Sequence, residues 1–276
     1  MKHPLPELAT KDQPTQRVKP ELRRFAEELA DAARPISLRY FRTPLDIEQK
    51  KDSSPVTIAD RQVKTTMRDI IAARHPLHGI YGEEHGNANP GQPHVWILDP
   101  IDGTKSFITG MPTFGTLIAF LDHGIPQIGV VDMPALDERW VGVSGSTTTM
   151  NGTACQTRQC RRLGDANLYT TSLDLFDSAE LAAFNAVSAK AAMRRFGGDC
   201  YSYALLASGY IDAVIETSLH PYDHLPLVPI IEGAGGVITD WTGAPLKVAS
   251  DGRVIAAATP ELHTEIITIV AACYRE

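Results

Sequence analysis

"WILDPIDGTKSF", residues 96–107, sets an apolar, strand-forming run against two acids, a proline, a glycine and a threonine. Trp96, Ile97 and Leu98 read as a buried strand, and Asp99 and Asp102 follow at its end, where their like charges repel. Asp-Pro and Asp-Gly are common turn formers, so taken alone the stretch reads equally well as a plain strand-to-helix connection. Its company favours chemistry. "YGEEHG" puts Glu83 and Glu84 at the end of another strand-like run shortly upstream, so several carboxylates converge with no matching basic cluster. Such a set calls for a cation. Hard divalent ions such as magnesium take oxygen ligands in octahedral geometry and keep water or substrate phosphate in the remaining positions. Asp99 is placed to bridge two such ions, with Asp102 and Glu83 each completing one. Thr104 stands where a helix begins, and the amides of Gly103, Thr104 and Lys105 are exposed there to accept an anion.

Outward from this stretch, "PELRRFAEELADAARPISLRYF" carries Leu22, Phe25, Leu29 and Ala33 at helical spacing, with Pro20 suited to its first turn. A second amphipathic helix runs through Val63, Met67, Ile70 and Ile71, with Asp60 at or just before its start. "GIYGEEHG", "HVWILDP", "TLIAFLDHGIPQIGVVDMP" and "ERWVGVSGS" are short β-rich runs and predict a meandering, largely antiparallel sheet. From about residue 156 strands alternate with helices. Three regions follow: an N-terminal arm over residues 1–16, an α+β lobe over 17–155 and an α/β lobe over 156–276.

The composition narrows the function. A formal net charge of −7, with basic residues scattered along the 276-residue chain, offers no footprint for nucleic acid or an anionic membrane. No run approaches the roughly 20 apolar residues that span a bilayer, and the first residues lack a signal-peptide core, so a cytoplasmic protein is expected. The four cysteines contain no CxxC pair and read as reduced, buried thiols.

Four blocks in order carry a resemblance to the inositol monophosphatase family, the lithium-sensitive phosphatases. They are Asp52 with the "SSPVTIAD" that follows it (53–60), "GEE" (82–84), the signature Asp99-Pro100-Ile101-Asp102-Gly103-Thr104, and "YDHLPLVPIIEGAGG" (222–236). The resemblance implies a layered αβαβα sandwich acting as a phosphoric monoester hydrolase with two or three magnesium ions. Glu83, Asp99, the Ile101 carbonyl and Thr104 would surround the first ion, and Asp99, Asp102 and Asp223 the second. Asp60, paired with Thr104, would orient and deprotonate the attacking water. Glu83 would also grip that water or a third, loosely held ion. Gly103 and Thr104 would receive the phosphate. The family's usual homodimer is implied as well. Tyr222 and Lys105 depart from the pattern, since many inositol phosphatases have Trp and Thr or Ala at these positions.

Within the family the wording is most similar to the histidinol-phosphate phosphatases. Histidinol phosphate bears an amine and an imidazole, so its site should offer acids beyond those on metal. Asp199 and Glu216 match positions that face the leaving group, although Asp199 reads equally well as the N-cap of the helix in "CYSYALLASG". Rival readings are inositol monophosphate or a 3'-phosphoadenosine nucleotide as substrate, or a non-catalytic binding protein of the same fold.

Three other features tempt. His75, His78, His85 and His94 lack a zinc spacing. "GVSGS" is a near miss for a nucleophile elbow and reads as a turn. "EGAGG" follows a helix, opposite to the dinucleotide-binding order, so its glycines fit close packing instead.

Overall fold

A computed structural model describes residues 19–44, 48–49, 55–82, 88–89 and 91–273. The N-terminal arm over residues 1–16, residues 52–54 at the start of the first family block, His85 and the acids Glu83 and Glu84 lie outside the described residues. In chain order the elements are α1 (Pro20–Tyr40), β1 (Glu48–Gln49), β2 (Pro55–Val56), α2 (Ile58–Arg74), β3 (Gly79–Gly82), β4 (His94–Asp102), α3 (Thr104–Ile108), β5 (Gly115–Asp122), β6 (Ile125–Met133), β7 (Glu138–Val143), β8 (Thr149–Met150), β9 (Thr153–Ala154), β10 (Asn167–Thr170), α4 (Ser178–Ser188), β11 (Met193–Phe196), α5 (Cys200–Ala207), β12 (Ala213–Glu216), α6 (Pro221–His224), α7 (Leu227–Gly233), β13 (Val237–Thr239), β14 (Val254–Ala257) and α8 (Pro260–Cys273).

The apolar patterning sorts these elements into five layers. Phe25, Leu29 and Ala33 of α1 and Val63, Met67 and Ile71 of α2 form stripes at helical spacing, and both stripes bury against Trp96, Leu98, Ile118, Phe120 and Val130 of a seven-stranded sheet. Burial of each Val, Leu, Ile, Phe or Met side chain among these contributes roughly 1.5–3 kcal/mol. The sheet runs in the order β3-β4-β5-β6-β7-β8-β9. It is the expected antiparallel meander except at β3, which pairs with β4 in parallel. "TLIAFLDHGIPQIGVVDMP" folds as the hairpin β5-β6, turned by His123 (φ 49°) and Gly124 (φ 80°). Paired left-handed residues suit a two-residue hairpin because they match the twist of the strands.

The opposite face of that sheet, through Ile97, Leu117, Ala119, Val131 and Trp140, packs on α5, α6 and α7. Those helices in turn cover Val214, Ile238, Val254 and Ala256 of a five-stranded sheet ordered β11-β10-β12-β14-β13. Its outer face, through Leu168, Ala213, Ile215, Ile255 and Ala257, is closed by α4 and α8. Along β12, Ala213 and Ile215 point to one layer and Val214 to the other, so an unbroken apolar run is what a strand buried on both faces requires. The result is the layered αβαβα sandwich.

The remaining sequence expectations meet the structure plainly. All four cysteines are free thiols, but only Cys160 and Cys200 are buried; Cys155 and Cys273 are half-buried. "GVSGS" is the end of β7 and the turn that follows it, and Gly233 and Gly236 of "EGAGG" lie where a Cβ would crowd the backbone of Ser146 and Ala257. Among the described residues no helix is long and apolar enough to cross a membrane.

Candidate active site

Side chains alternate faces along a strand, so two residues three apart should point to opposite sides. Asp99 and Asp102 escape this because β4 is irregular between them. Asp99 pairs with Leu117 and Asp102 with Gly115, three steps along β4 against two along β5, so β4 carries one extra residue. Such a bulge re-aims side chains. Its peptide groups are held by Thr116 Oγ1, which donates to the Pro100 carbonyl (2.8 Å), and by the Ile101 amide, which donates to Asp99 Oδ1 (3.1 Å). Gly103 then turns the chain into α3 at φ 76°, a left-handed conformation glycine adopts without strain.

A third acid arrives from the other half of the chain. Asp223 lies in the single turn of α6, where its Oδ2 accepts from the His220 amide (2.7 Å). Ligand oxygens of Asp99, Asp102 and Asp223 all lie within 4.8 Å of one another. Two unit charges at that separation repel by about 3 kcal/mol at an effective dielectric near 20. Three such pairs together rival the net stability of a domain before solvent screening. A donor set made only of carboxylate oxygens, each fixed by a backbone amide, fits a hard divalent cation. Asp102 has its amide from Cys200, at the N-terminus of α5 (2.7 Å). A residue from the C-terminal half of the chain therefore fixes an acid of the signature.

Asp60 is buried (1% exposed) in the first turn of α2. Its Oδ2 accepts from the amide (2.8 Å) and hydroxyl (2.7 Å) of Thr57, so it serves as the far half of a capping box. Neighbouring Ala59 packs with Ile101, Phe107 and Phe114, which sets the start of α2 against the signature loop. One implied contact differs. Thr104 Oγ1 donates to the Ile101 carbonyl (3.0 Å) and not to Asp60. A hydroxyl has one proton to give, and Asp60 is drawn back toward the amide of its own N-cap.

Of the two acids expected near the leaving group, Asp199 occupies the N-cap position of α5 but makes no side-chain capping bond. Its Oδ2 instead accepts from Ser106 Oγ (2.8 Å) on α3. The capping alternative is thereby set aside. Burial pushes the Asp199 carboxyl up, while the Ser106 hydrogen bond and the charge of Lys105 hold it down. Glu216, 3% exposed, lies deeper at the end of β12. Its Oε1 accepts from the Thr171 amide (2.9 Å) and hydroxyl, and its Oε2 from the Tyr203 hydroxyl (3.0 Å). Both oxygens are occupied by protein. Burial pushes Glu216 up to about 7; the Thr171 and Tyr203 bonds oppose the rise, and the charges of Asp199 and Asp102 add to it.

Asp199 follows the C-terminal end of β11 and Glu216 closes β12, beside Thr171 just past the end of β10. β11 and β12 both run parallel to β10, so this is the end of a sheet where α/β folds place ligands. Sequence reasoning missed Ser106, Thr171 and Tyr203. Small hydroxyl residues and a helical tyrosine carry no signal until the chain brings carboxylates to them.

Comparison with known proteins agrees with this geometry. The model of the inositol monophosphatase family matches residues 19–275. A chloroplastic bifunctional phosphatase of Arabidopsis thaliana is 49% identical over 259 residues, 90% of this chain and 75% of that protein. A histidinol-phosphatase of Chlorobaculum parvum is 36% identical over 234 residues, 84% of this chain and 90% of that protein. A solved inositol monophosphatase from Zymomonas mobilis superposes with a TM-score of 0.84 at 43% identity, covering 91% of this chain and 98% of that one. With the family model spanning both sheets and the clustered acids gathered around its signature, the chain belongs to the inositol monophosphatase family and is a phosphoric monoester hydrolase.

Proposed function

We propose that the chain hydrolyses L-histidinol phosphate to L-histidinol and phosphate. Asp99, Asp102 and Asp223, with the Ile101 carbonyl, Thr104 and Glu83, would hold magnesium. Bound there, magnesium makes hydroxide available from water near neutral pH and neutralises phosphate charge. The amides at Gly103 and Thr104 receive the phosphate, and Asp60 with Thr104 orients the water for in-line attack. Asp199 meets the cationic leaving group, with Glu216 bracing Thr171 and Tyr203 behind it.

The observation that carries the substrate reading is Asp199, a carboxylate beside the signature loop that is neither a helix cap nor a member of the acid cluster. A polyol asks for hydroxyl partners, whereas an ammonium is held by a carboxylate through a charge-assisted hydrogen bond. The histidinol-phosphatase relative supports the same reading.

Side-by-side kcat/KM values on histidinol phosphate, inositol 1-phosphate and a 3'-phosphoadenosine nucleotide test it. Asp199→Asn should lower kcat/KM for histidinol phosphate by about 10- to 100-fold, and by far less for an aryl phosphate. A preference for inositol phosphate by orders of magnitude would defeat the proposal. Inositol phosphate is the second reading, favoured by the likeness to the Zymomonas mobilis enzyme.

A further inference from the structure

Gly197, Gly198 and Asp199 join β11 to α5 with three successive positive φ values, 82°, 120° and 47°. Glycine takes such angles freely. An aspartate at φ 47°, ψ −135° holds a conformation that costs on the order of 1–3 kcal/mol. The turn sends the Asp199 side chain away from its own helix and across to the signature loop. There Oδ2 takes the Ser106 hydroxyl at 2.8 Å and lies against Gly103, where an added Cβ would come within 2.9 Å of the same oxygen. Thr113 Oγ1 approaches Ser106 Oγ at 3.4 Å from the far side. The next residue, Cys200, gives its amide to Asp102. One dipeptide thus clamps both α3 and an acid of the cluster. The other oxygen of Asp199, Oδ1, accepts no hydrogen bond from a described residue and is not among the buried unpartnered atoms.

We infer that Ser106 is a positioning residue for leaving-group choice: it holds Asp199 Oδ2 so that Oδ1 faces an ammonium beside the signature loop. The inference rests on the proposed reading of an amine-bearing phosphate ester. A hydrogen bond to a charged group is strong enough to select one orientation of a carboxylate that would otherwise rotate. Ser106 sits in the first turn of α3, two residues after Thr104, so the oxygen it holds is tied to the same short helix whose start receives the phosphate. The distance from phosphate to cation is then set by α3 and the one carboxylate it holds, which is what a ruler for an amino alcohol ester needs.

The test compares histidinol phosphate with its N-acetyl derivative, which keeps the phosphate and imidazole and removes the amine's charge. Ser106→Ala should shrink the preference for the amine by about tenfold, chiefly through KM for the charged ester. Ser106→Thr, which keeps the hydroxyl, should restore most of it. Equal losses on both esters in Ser106→Ala, or a preference left at the wild-type value, would overturn the inference while leaving the substrate reading intact. A wild-type enzyme that fails to distinguish the two esters overturns the substrate reading and the role of Ser106 with it. Thermal unfolding of Ser106→Ala close to wild type excludes general loss of structure as the cause.

Discussion

The two ends of β4 both gather titratable side chains, and they do opposite things with them. At the C-terminal end, Asp99 and Asp102 are joined by Asp223, and a bulge and three backbone amides hold like charges together against their repulsion. At the N-terminal end, His94 and Trp96 meet His75 and His78. The His75 and His78 rings stack at 4.5 Å, and His78 lies 5.1 Å from His94. Two of their ring nitrogens have local partners: Trp96 Nε1 donates to His78 Nδ1 (3.1 Å), and Asp122 Oδ1 faces His94 Nε2 (3.3 Å) as well as His123 Nδ1 (2.7 Å). Like groups crowded onto one point against their own repulsion mark a site for something else; rings laid on one another beside a buried tryptophan, themselves half-buried or exposed, are packing at the surface of the fold.

Removing one acid should break the first end outright. Asp99→Asn is expected to lower magnesium-dependent turnover by at least about 10²–10³-fold, measured as phosphate release. The same change should leave the metal-free protein as stable as wild type or more so, because two of the three repelling pairs disappear. Thermal melts with and without magnesium check this: wild type should gain stability from the ion by mass action and the variant far less. Normal turnover by the variant would sink the assignment of this cluster as the catalytic centre.

That contrast was half legible in the sequence. "WILDPIDGTKSF" displays a buried strand and its acids directly, because apolar patterning and turn formers are local signals. The convergence of Asp99 with Asp102 was not, since it depends on how many residues of β5 lie opposite them. Asp199 at a helix start looked equally like a cap, and only three positive φ values in a row turn it away. Glu216 read as a substrate contact, and nothing in the sequence signalled the protein partners its oxygens take, Thr171 and Tyr203, 45 and 13 residues away. β14 and α8 extend beyond the expected pattern: β14 inserts between β12 and β13, and α8 helps close the outer face of that sheet. At the site, what the sequence concealed is strand register, backbone turns and which distant hydroxyl or amide answers a carboxylate.

Glu216 supplies the next largest effect. Its carboxyl is pushed from 4.5 up to about 7 by burial, so between those values the folded protein keeps a proton that the unfolded chain has released. Stability must therefore fall as pH rises from about 4.5 to about 7, by up to roughly 3 kcal/mol. Glu216→Gln keeps an acceptor for Thr171 and a polar partner for the Tyr203 hydroxyl but cannot ionise. Denaturant unfolding at several pH values should show the variant gaining on wild type up to pH 7 and holding that gain above it. An unchanged slope would mean that Glu216 is ionised at no cost, and that its surroundings are wetter than its burial implies.

The histidine end should answer with the opposite sign and a smaller size. Burial, together with the charges of His75 and His94, pushes His78 down to about 4 from 6.5. The Trp96 bond is consistent with this, since indole only donates and so requires an unprotonated Nδ1. Between pH 6.5 and about 4 the unfolded chain takes up a proton that folded His78 refuses, so stability falls as pH drops through this window. The ring is half-exposed, and solvent screening brings the effect to about 1 kcal/mol. In wild type this slope opposes that of Glu216 between pH 4.5 and 6.5, and each masks part of the other. His78→Asn keeps an acceptor for Trp96 while removing the titration, so in a Glu216→Gln background it should flatten what remains of the acid slope without altering kcat. If the slope survives, the neutral, ring-stacked state of His78 is not what the fold protects, and the two ends of β4 are less different than their hydrogen bonds make them.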